Sequence, residues 1–360
     1  MWRPVRQHVR ATELLQRFSA SEAPRSPEAP VEETLSIPAL PGPVRARLYR
    51  PAGVSHPPAV VLVHGVHYKG IDEPRLVRFA RAVAASGILV LTPEIEELAD
   101  YHVDPRSIDT VGASIRALKG LAGAERVGVM GFSFGGGLAL LAAADERFAG
   151  DTAFVVAVGA HDDLGRVSRF FAGDGIADPE GRAQDIRAHE YGAMVLVYAH
   201  VERFFPAADV EAARDALRSW LHEDRDAARA SAARLSPASR EKVEQLFLAH
   251  LDVVRPELER AIAELGPEMT RVSPHDHLGG VRAPVFLLHG AGDTVIPASE
   301  SAWLAASVPS SSLREALVSP AIVHVELEGE PGWRERWAIV HFMAQVLGEA
   351  DTAASPAASG

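Results

Sequence analysis

Ser133 stands in the run Gly131-Phe132-Ser133-Phe134-Gly135, a G-x-S-x-G pattern between an apolar stretch (Val127, Val129, Met130) and an Ala/Leu-rich stretch reaching Ala144. The first stretch has the composition of a strand and the second that of a helix, which puts the serine on a sharp strand-to-helix turn. Glycines suit such a turn because a Cβ two residues either side of the serine would collide with strand or helix. The hydroxyl would then project from the sheet edge at a helix N-terminus, whose free N–H groups and dipole favour developing negative charge. The chemistry open to it is nucleophilic attack on an acyl carbon. A Gly-rich turn that merely packs closely would share the pattern, so the reading depends on partners elsewhere in the chain.

A serine hydroxyl near neutral pH needs a base within hydrogen-bond reach and a third group that orients the base. On sheets that carry this turn the order along the chain is serine, acid, histidine, with the last two on loops after late strands. The apolar run Pro284 to Leu288 leads into HGAGDTVIP, a turn-rich loop carrying Asp293. Asp162 and Asp163, after the run Thr152 to Val158, compete with it; Asp293 is preferred because Gly290 and Gly292 would permit an inward turn. After Asp293 only His324 and His341 remain. His324 follows a further expected strand, Leu313 to Val318, whereas His341 lies in a strongly helical segment. A loop histidine can reach over Ser133, so His324 is the expected base and Asp293 its orienting acid.

The oxyanion formed on attack needs two N–H donors. Phe134, directly after the nucleophile, should supply one. Val66, in the loop HGVHYKG after the first buried strand, should supply the other, with His67 and Tyr68 as alternatives. Taken together, LVHG with its Gly-bearing loop, GFSFGGG, LLHGAGDTVIP and the later IVH resemble the α/β-hydrolase family, nearest to its dienelactone-hydrolase and prolyl-oligopeptidase-like esterase branches. The resemblance covers about residues 31–347, and its specificity lies in four motifs in the right order. It implies a serine hydrolase working through an acyl-enzyme without metal or organic cofactor, with Ser133, Asp293 and His324 in the roles above. Ser133 replaces the cysteine of dienelactone hydrolases, which counts against dienelactone as substrate, and no propeller-like domain is expected before the sheet, which counts against a large oligopeptidase.

The elements that must position these groups follow from the pattern. Residues 1–30 read as an arm and linker, with a helix over Pro4 to Phe18 and a Pro/Ser-rich segment after it. Val31 to Ile37 and Val44 to Tyr49 alternate as antiparallel strands do. Buried strands over Pro58 to His64 and Ile88 to Thr92 then alternate with helices over Arg75 to Ala85 and Ile108 to Leu121. This predicts an α/β fold with a mostly parallel, doubly wound sheet, its core formed by residues 31–163 and 283–350. Residues 164–282 read as a helical cap insertion, with helices over Ala188 to Phe205, Asp209 to Leu221, Glu223 to Leu235 and Pro237 to Leu265, the last kinked or broken at Pro256. Its aromatic residues, among them Phe170, Phe171 and Tyr198, either form the cap's own core or line an acyl pocket. Residues 351–360 read as a disordered tail.

Composition narrows the classes. The chain has 360 residues, 47% of them hydrophobic, with a formal net charge of -12. That acidic balance argues against nucleic-acid and anionic-membrane partners. Cys is 0, which excludes disulfides and a cysteine nucleophile. The N-terminal stretch shows no apolar core of a secretory signal, so a cytoplasmic location is expected. His64 with His67, His161 with Asp162 and Asp163, and His275 with Asp276 and His277 lack a complete ligand set at familiar spacing, so no metal is expected. No G-x-G-x-x-G opens a helix after the first buried strand, which argues against a dinucleotide cofactor. The expected partner is a small-molecule acyl substrate. Acyl transfer on the same triad, and a non-catalytic ligand-binding protein of this fold, are the alternatives.

Overall fold

The computed structural model describes residues 3–20, 29–40, 42–323, 326–327 and 332–354. The chain forms two compact units, Met1–Asp162 with Val272–Gly360, and Asp163–Arg271.

The first unit is built on an eight-stranded sheet: β1 (Val31–Ile37), β2 (Val44–Arg50), β3 (Ala59–Val63), β4 (Leu89–Pro93), β5 (Val127–Phe132), β6 (Thr152–Val158), β7 (Val285–Gly290) and β8 (Leu313–Ser319). The spatial order is β1-β2-β4-β3-β5-β6-β7-β8. β2 pairs antiparallel with β1 and β4, and the remaining neighbours pair parallel. Burial follows from this arrangement. β3, β4 and β6 are buried along their whole length, as expected of strands covered by crossover helices on both faces, while the early strand β1 is mostly exposed.

Helices α1 (Arg3–Ser19), α2 (Pro74–Ala85), α3 (Arg106–Ala122) and α4 (Phe134–Ala144) precede the second unit. α1 buries Ala11 and Leu14 and packs against α2 and the C-terminal helix Trp333–Ala354. Arg10 Nη1 donates to Asp351 Oδ2 at 2.8 Å and Arg10 Nη2 to the Ser86 carbonyl at 2.8 Å. These contacts correct the expected tail: Asp351 to Ala354 continue the last helix because Arg10 and Gln7 hold Asp351. Residues 355–360 lie outside the described residues.

The second unit is helical. It comprises α5 (Leu164–Phe171), α6 (Glu190–Ala199), α7 (Val210–Leu221), α8 (Arg225–Ala232), α9 (Pro237–Phe247) and α10 (Arg255–Thr270), with a two-residue strand pair Ile176–Ala177 and Ala183–Gln184. The expected helix Pro237 to Leu265 is therefore two helices, and Pro256 sits in the first turn of α10, where a missing N–H removes no intrahelical bond. Phe170, Phe171, Met194, Tyr198, Phe204 and Phe205 of this unit are buried, and a Cβ on Gly192 would lie 2.3 Å from the Phe171 ring.

The insertion ends earlier than its composition suggests. Residues 272–282 belong to the sheet unit: His161 Nε2 donates to the Val272 carbonyl at 2.9 Å, His275 N to the Asp162 carbonyl at 2.9 Å, and Gly280 packs where a Cβ would lie 2.3 Å from the Ala144 carbonyl oxygen. After Val272 come β7, α11 (Ser299–Ser307), β8 and α12 (Trp333–Ala354).

Candidate active site

β5 ends at Phe132 and α4 begins at Phe134, with Ser133 between them at φ 54, ψ -132. That backbone region is costly for any residue with a Cβ, by about 1–3 kcal/mol. Its surroundings impose it. A Cβ on Gly131 would lie 2.2 Å from the Gly135 carbonyl oxygen, and one on Gly135 would lie 2.3 Å from the His64 carbonyl oxygen. Ser133 N donates to the Val158 carbonyl at 2.8 Å, which ties the corner to β6. Phe134 is the first residue of α4, so its N–H has no intrahelical acceptor.

The loop after β3 lies directly against the serine. A Cβ on Gly65 would be 3.1 Å from Ser133 Cβ and 3.7 Å from its Oγ. His64 anchors this loop: its Nδ1 donates to the Gly65 carbonyl at 2.7 Å and its Nε2 accepts from Ile95 N at 2.9 Å. Burial pushes His64 down to about 4, against the opposing pull of the Gly65 carbonyl, so the imidazole is neutral with both nitrogens engaged. Among the alternative oxyanion donors, His67 is already committed, since its N–H donates to the Leu98 carbonyl at 3.2 Å. Val66 lines the cavity that holds Ser133.

Asp293 is fully buried in the loop after β7. Its Oδ1 accepts from Val295 N at 2.8 Å and Ile296 N at 3.0 Å. The turn is thus closed by the aspartate's own carboxylate. Gly292, by contrast, has open space around it and no positive φ, so the glycine argument for the inward turn is replaced by an Asx-type one. His289, which sequence reasoning passed over, supports the same loop, with Nε2 donating to the Ile296 carbonyl at 2.8 Å and Nδ1 accepting from Ser301 Oγ at 2.7 Å. Its signal was the apolar strand end on which it stands. In the sheet order Ser133 and Asp293 follow strands two places apart, β5 and β7, a separation of about 10 Å between strand axes.

The competing residues have other engagements. Asp162 is buried and accepts from His275 Nδ1 at 2.8 Å and Ser307 Oγ at 3.1 Å, and Asp163 caps α5 by accepting from Arg166 N at 3.0 Å. His341 is exposed on α12, its Nδ1 lying 2.9 Å from Nε2 of His8. His324 lies outside the described residues. Ile322, two positions before it, lines the cavity with Ser133. Among the described residues no cluster of three or more His, Asp or Glu could hold a metal ion.

That cavity has a volume of about 130 Å³, and its described lining residues belong to the sheet unit. Its apolar walls include residues of α1, α2, β5 and α12, with Val158, Leu288 and Ile322.

No family model and no curated protein sequence matches the chain. Among solved structures, a candidate dipeptidyl aminopeptidase IV from Bacteroides ovatus is similar with TM-score 0.50 at 15% identity, over 93% of this chain and 37% of that one. The chain has the α/β-hydrolase fold. The strand order and the antiparallel second strand describe the same α/β-hydrolase sheet. An esterase from Pyrobaculum calidifontis gives TM-score 0.49 at 15% identity over 98% of this chain and 92% of that one. A 2-hydroxy-6-oxo-6-phenylhexa-2,4-dienoate hydrolase from Rhodococcus sp. gives 0.46 at 18% over 90% and 99%. At such identities the likeness speaks for the α/β-hydrolase fold alone.

Proposed function

We propose that this chain is a serine hydrolase that cleaves a carboxylic ester through an acyl-enzyme. The observation that carries the reading is Ser133, held at φ 54 between two close backbone contacts at the mouth of a helix, on the wall of an apolar cavity. Strained backbone at such a corner is characteristic of a presented nucleophile. Ser133 Oγ attacks the acyl carbon while its proton passes to His324, and Asp293 holds the imidazole in the required tautomer. The negative charge on the carbonyl oxygen is held by the N–H groups of Phe134 and Val66. Collapse breaks the ester C–O bond, and the departing alkoxide takes the proton from His324. Water then attacks the acyl-enzyme with the same base, releasing the acid and restoring Ser133.

Two observations support these assignments beside the serine itself. Asp293 is a fully buried carboxylate in the loop two strands away, and the chain leading to His324 borders the Ser133 cavity at Ile322. The test is labelling by a fluorophosphonate together with hydrolysis of p-nitrophenyl butyrate. Wild type should label at Ser133 and turn over; Ser133→Ala should do neither while remaining folded. His324→Ala should lower kcat/KM by roughly two to four orders of magnitude, whereas His341→Ala should keep most of it. Folded wild type that neither labels nor turns over any ester would remove the proposal.

A further inference from the structure

The cavity beside Ser133 has a wall that local sequence did not announce. Leu15 and Phe18, near the end of α1, face it together with Leu76 and Phe79 of α2, Phe132 of β5 and Met343 of α12. Phe18, Phe79 and Phe132 form a continuous edge-to-face ladder, with ring centroids 5.2 and 5.4 Å apart and both interplanar angles at 85°. Leu76, Phe79 and Met343 are buried and line the cavity. The charged groups on the lining neutralise each other: Arg75 Nε donates to Glu73 Oε1 at 2.7 Å, while Glu73 Oε2 accepts from Leu76 N at 2.9 Å.

Resting on the hydrolase reading above, we propose that this cavity is the acyl pocket, that α1 is its outer wall, and that it takes an uncharged acyl group of about one aromatic ring. The volume supports the size. A protein cavity of about 150 Å³ lined by Leu, Ile and Phe accommodates benzene, and this one measures about 130 Å³. The lining supports the chemistry, since a carboxylate or ammonium group on the acyl chain would be desolvated without a free counter-charge. The wall is a fixed one: Arg10 joins α1 to Asp351 and to the Ser86 carbonyl, and Arg17 reaches the Ala85 carbonyl at 3.3 Å. Benzoyl and butanoyl to hexanoyl groups therefore fit, and a decanoyl chain runs into Phe18 and Leu15.

The experiment measures kcat/KM for p-nitrophenyl acetate, butyrate, hexanoate, decanoate and benzoate with the full chain. Wild type should prefer butyrate, hexanoate or benzoate over decanoate by at least about ten-fold. Phe18→Ala and Leu15→Ala should raise the decanoate-to-butyrate ratio by a similar factor, a ratio that partial loss of folded protein does not alter. A decanoate rate equal to butyrate in wild type, or ratios unmoved in both variants while wild type still labels at Ser133, would overturn the pocket assignment and leave the hydrolase reading standing. Calorimetric binding of benzyl alcohol keeps the pocket testable should ester turnover be absent. Saturable binding to wild type and Ser133→Ala, lost in Phe18→Trp, supports the cavity; no binding to either removes it.

Discussion

The His64 carbonyl oxygen lies 2.3 Å from where a Cβ on Gly135 would stand. The loop after β3 and the first turn of α4 therefore meet backbone to backbone at the serine corner.

Neither partner in that contact can rotate away, so Gly135→Ala should lower unfolding stability by about 2 kcal/mol or more and abolish ester turnover. Gly65→Ala is the gentler change. Its Cβ would meet Ser133 Cβ at 3.1 Å, so activity should fall further than the urea midpoint. A Gly135→Ala protein with the wild-type midpoint would contradict the described contact.

The strain at Ser133 makes a prediction of opposite sign. Ser133→Gly relieves a conformation costing about 1–3 kcal/mol but adds freedom to the unfolded chain, worth about 0.5–1 kcal/mol. The net expectation is a protein about 1 kcal/mol more stable than Ser133→Ala, which keeps the Cβ and the strain. Both variants should be inactive. Equal denaturation midpoints would show that the corner stores no strain.

His64 gives the fold a pH dependence. Burial lowers its pKa in the folded protein to about 4 from the ordinary 6.5 of histidine, so the unfolded chain takes up the proton first. The associated stability is whole above about pH 6.5 and drains as pH falls toward 4, at ~1.4 kcal/mol per pH unit and about 3 kcal/mol in total. His64→Gln should be less stable than wild type at pH 7, through its lost hydrogen bonds, and the gap should close on acidification. Urea titrations at pH 7, 5.5 and 4 measure it; a constant gap would argue against the neutral buried imidazole.

Asp293 separates charge from shape. Asp293→Asn retains an oxygen for the Val295 and Ile296 N–H groups and should unfold near the wild-type temperature. Asp293→Ala leaves those buried donors unpaired, at a cost of about 1–3 kcal/mol. Both should lose roughly two to four orders of magnitude in kcat/KM. Wild-type turnover in Asp293→Asn would dismiss the residue as the orienting acid.

How far the molecule was legible from its sequence depended on the range of each constraint. Ser133 was legible because its glycines answer to collisions within a few residues. The strands were legible because β3, β4 and β6 are buried on both faces, which leaves continuous apolar runs such as Ala59–Val63. The turn at Asp293 was expected from Gly290 and Gly292, whereas the aspartate's own carboxylate closes it by accepting from Val295 N and Ile296 N. The end of the insertion was misjudged because residues 272–282 are held by His161 and Asp162, more than a hundred positions earlier. The acyl wall was illegible for the same cause: Phe18, Phe79 and Met343 meet only after folding, and no periodicity within α1 states what it will face.

The insertion leaves the sheet unit at Asp162 and returns at Val272, where His161 bonds to Val272 and His275 to Asp162. The two edges of the breach are already sewn together by the framework that receives it. A short glycine-serine bridge in place of residues 163–271 should therefore join two ends that the framework's own hydrogen bonds already hold side by side; a cooperative unfolding transition of the bridged protein checks it.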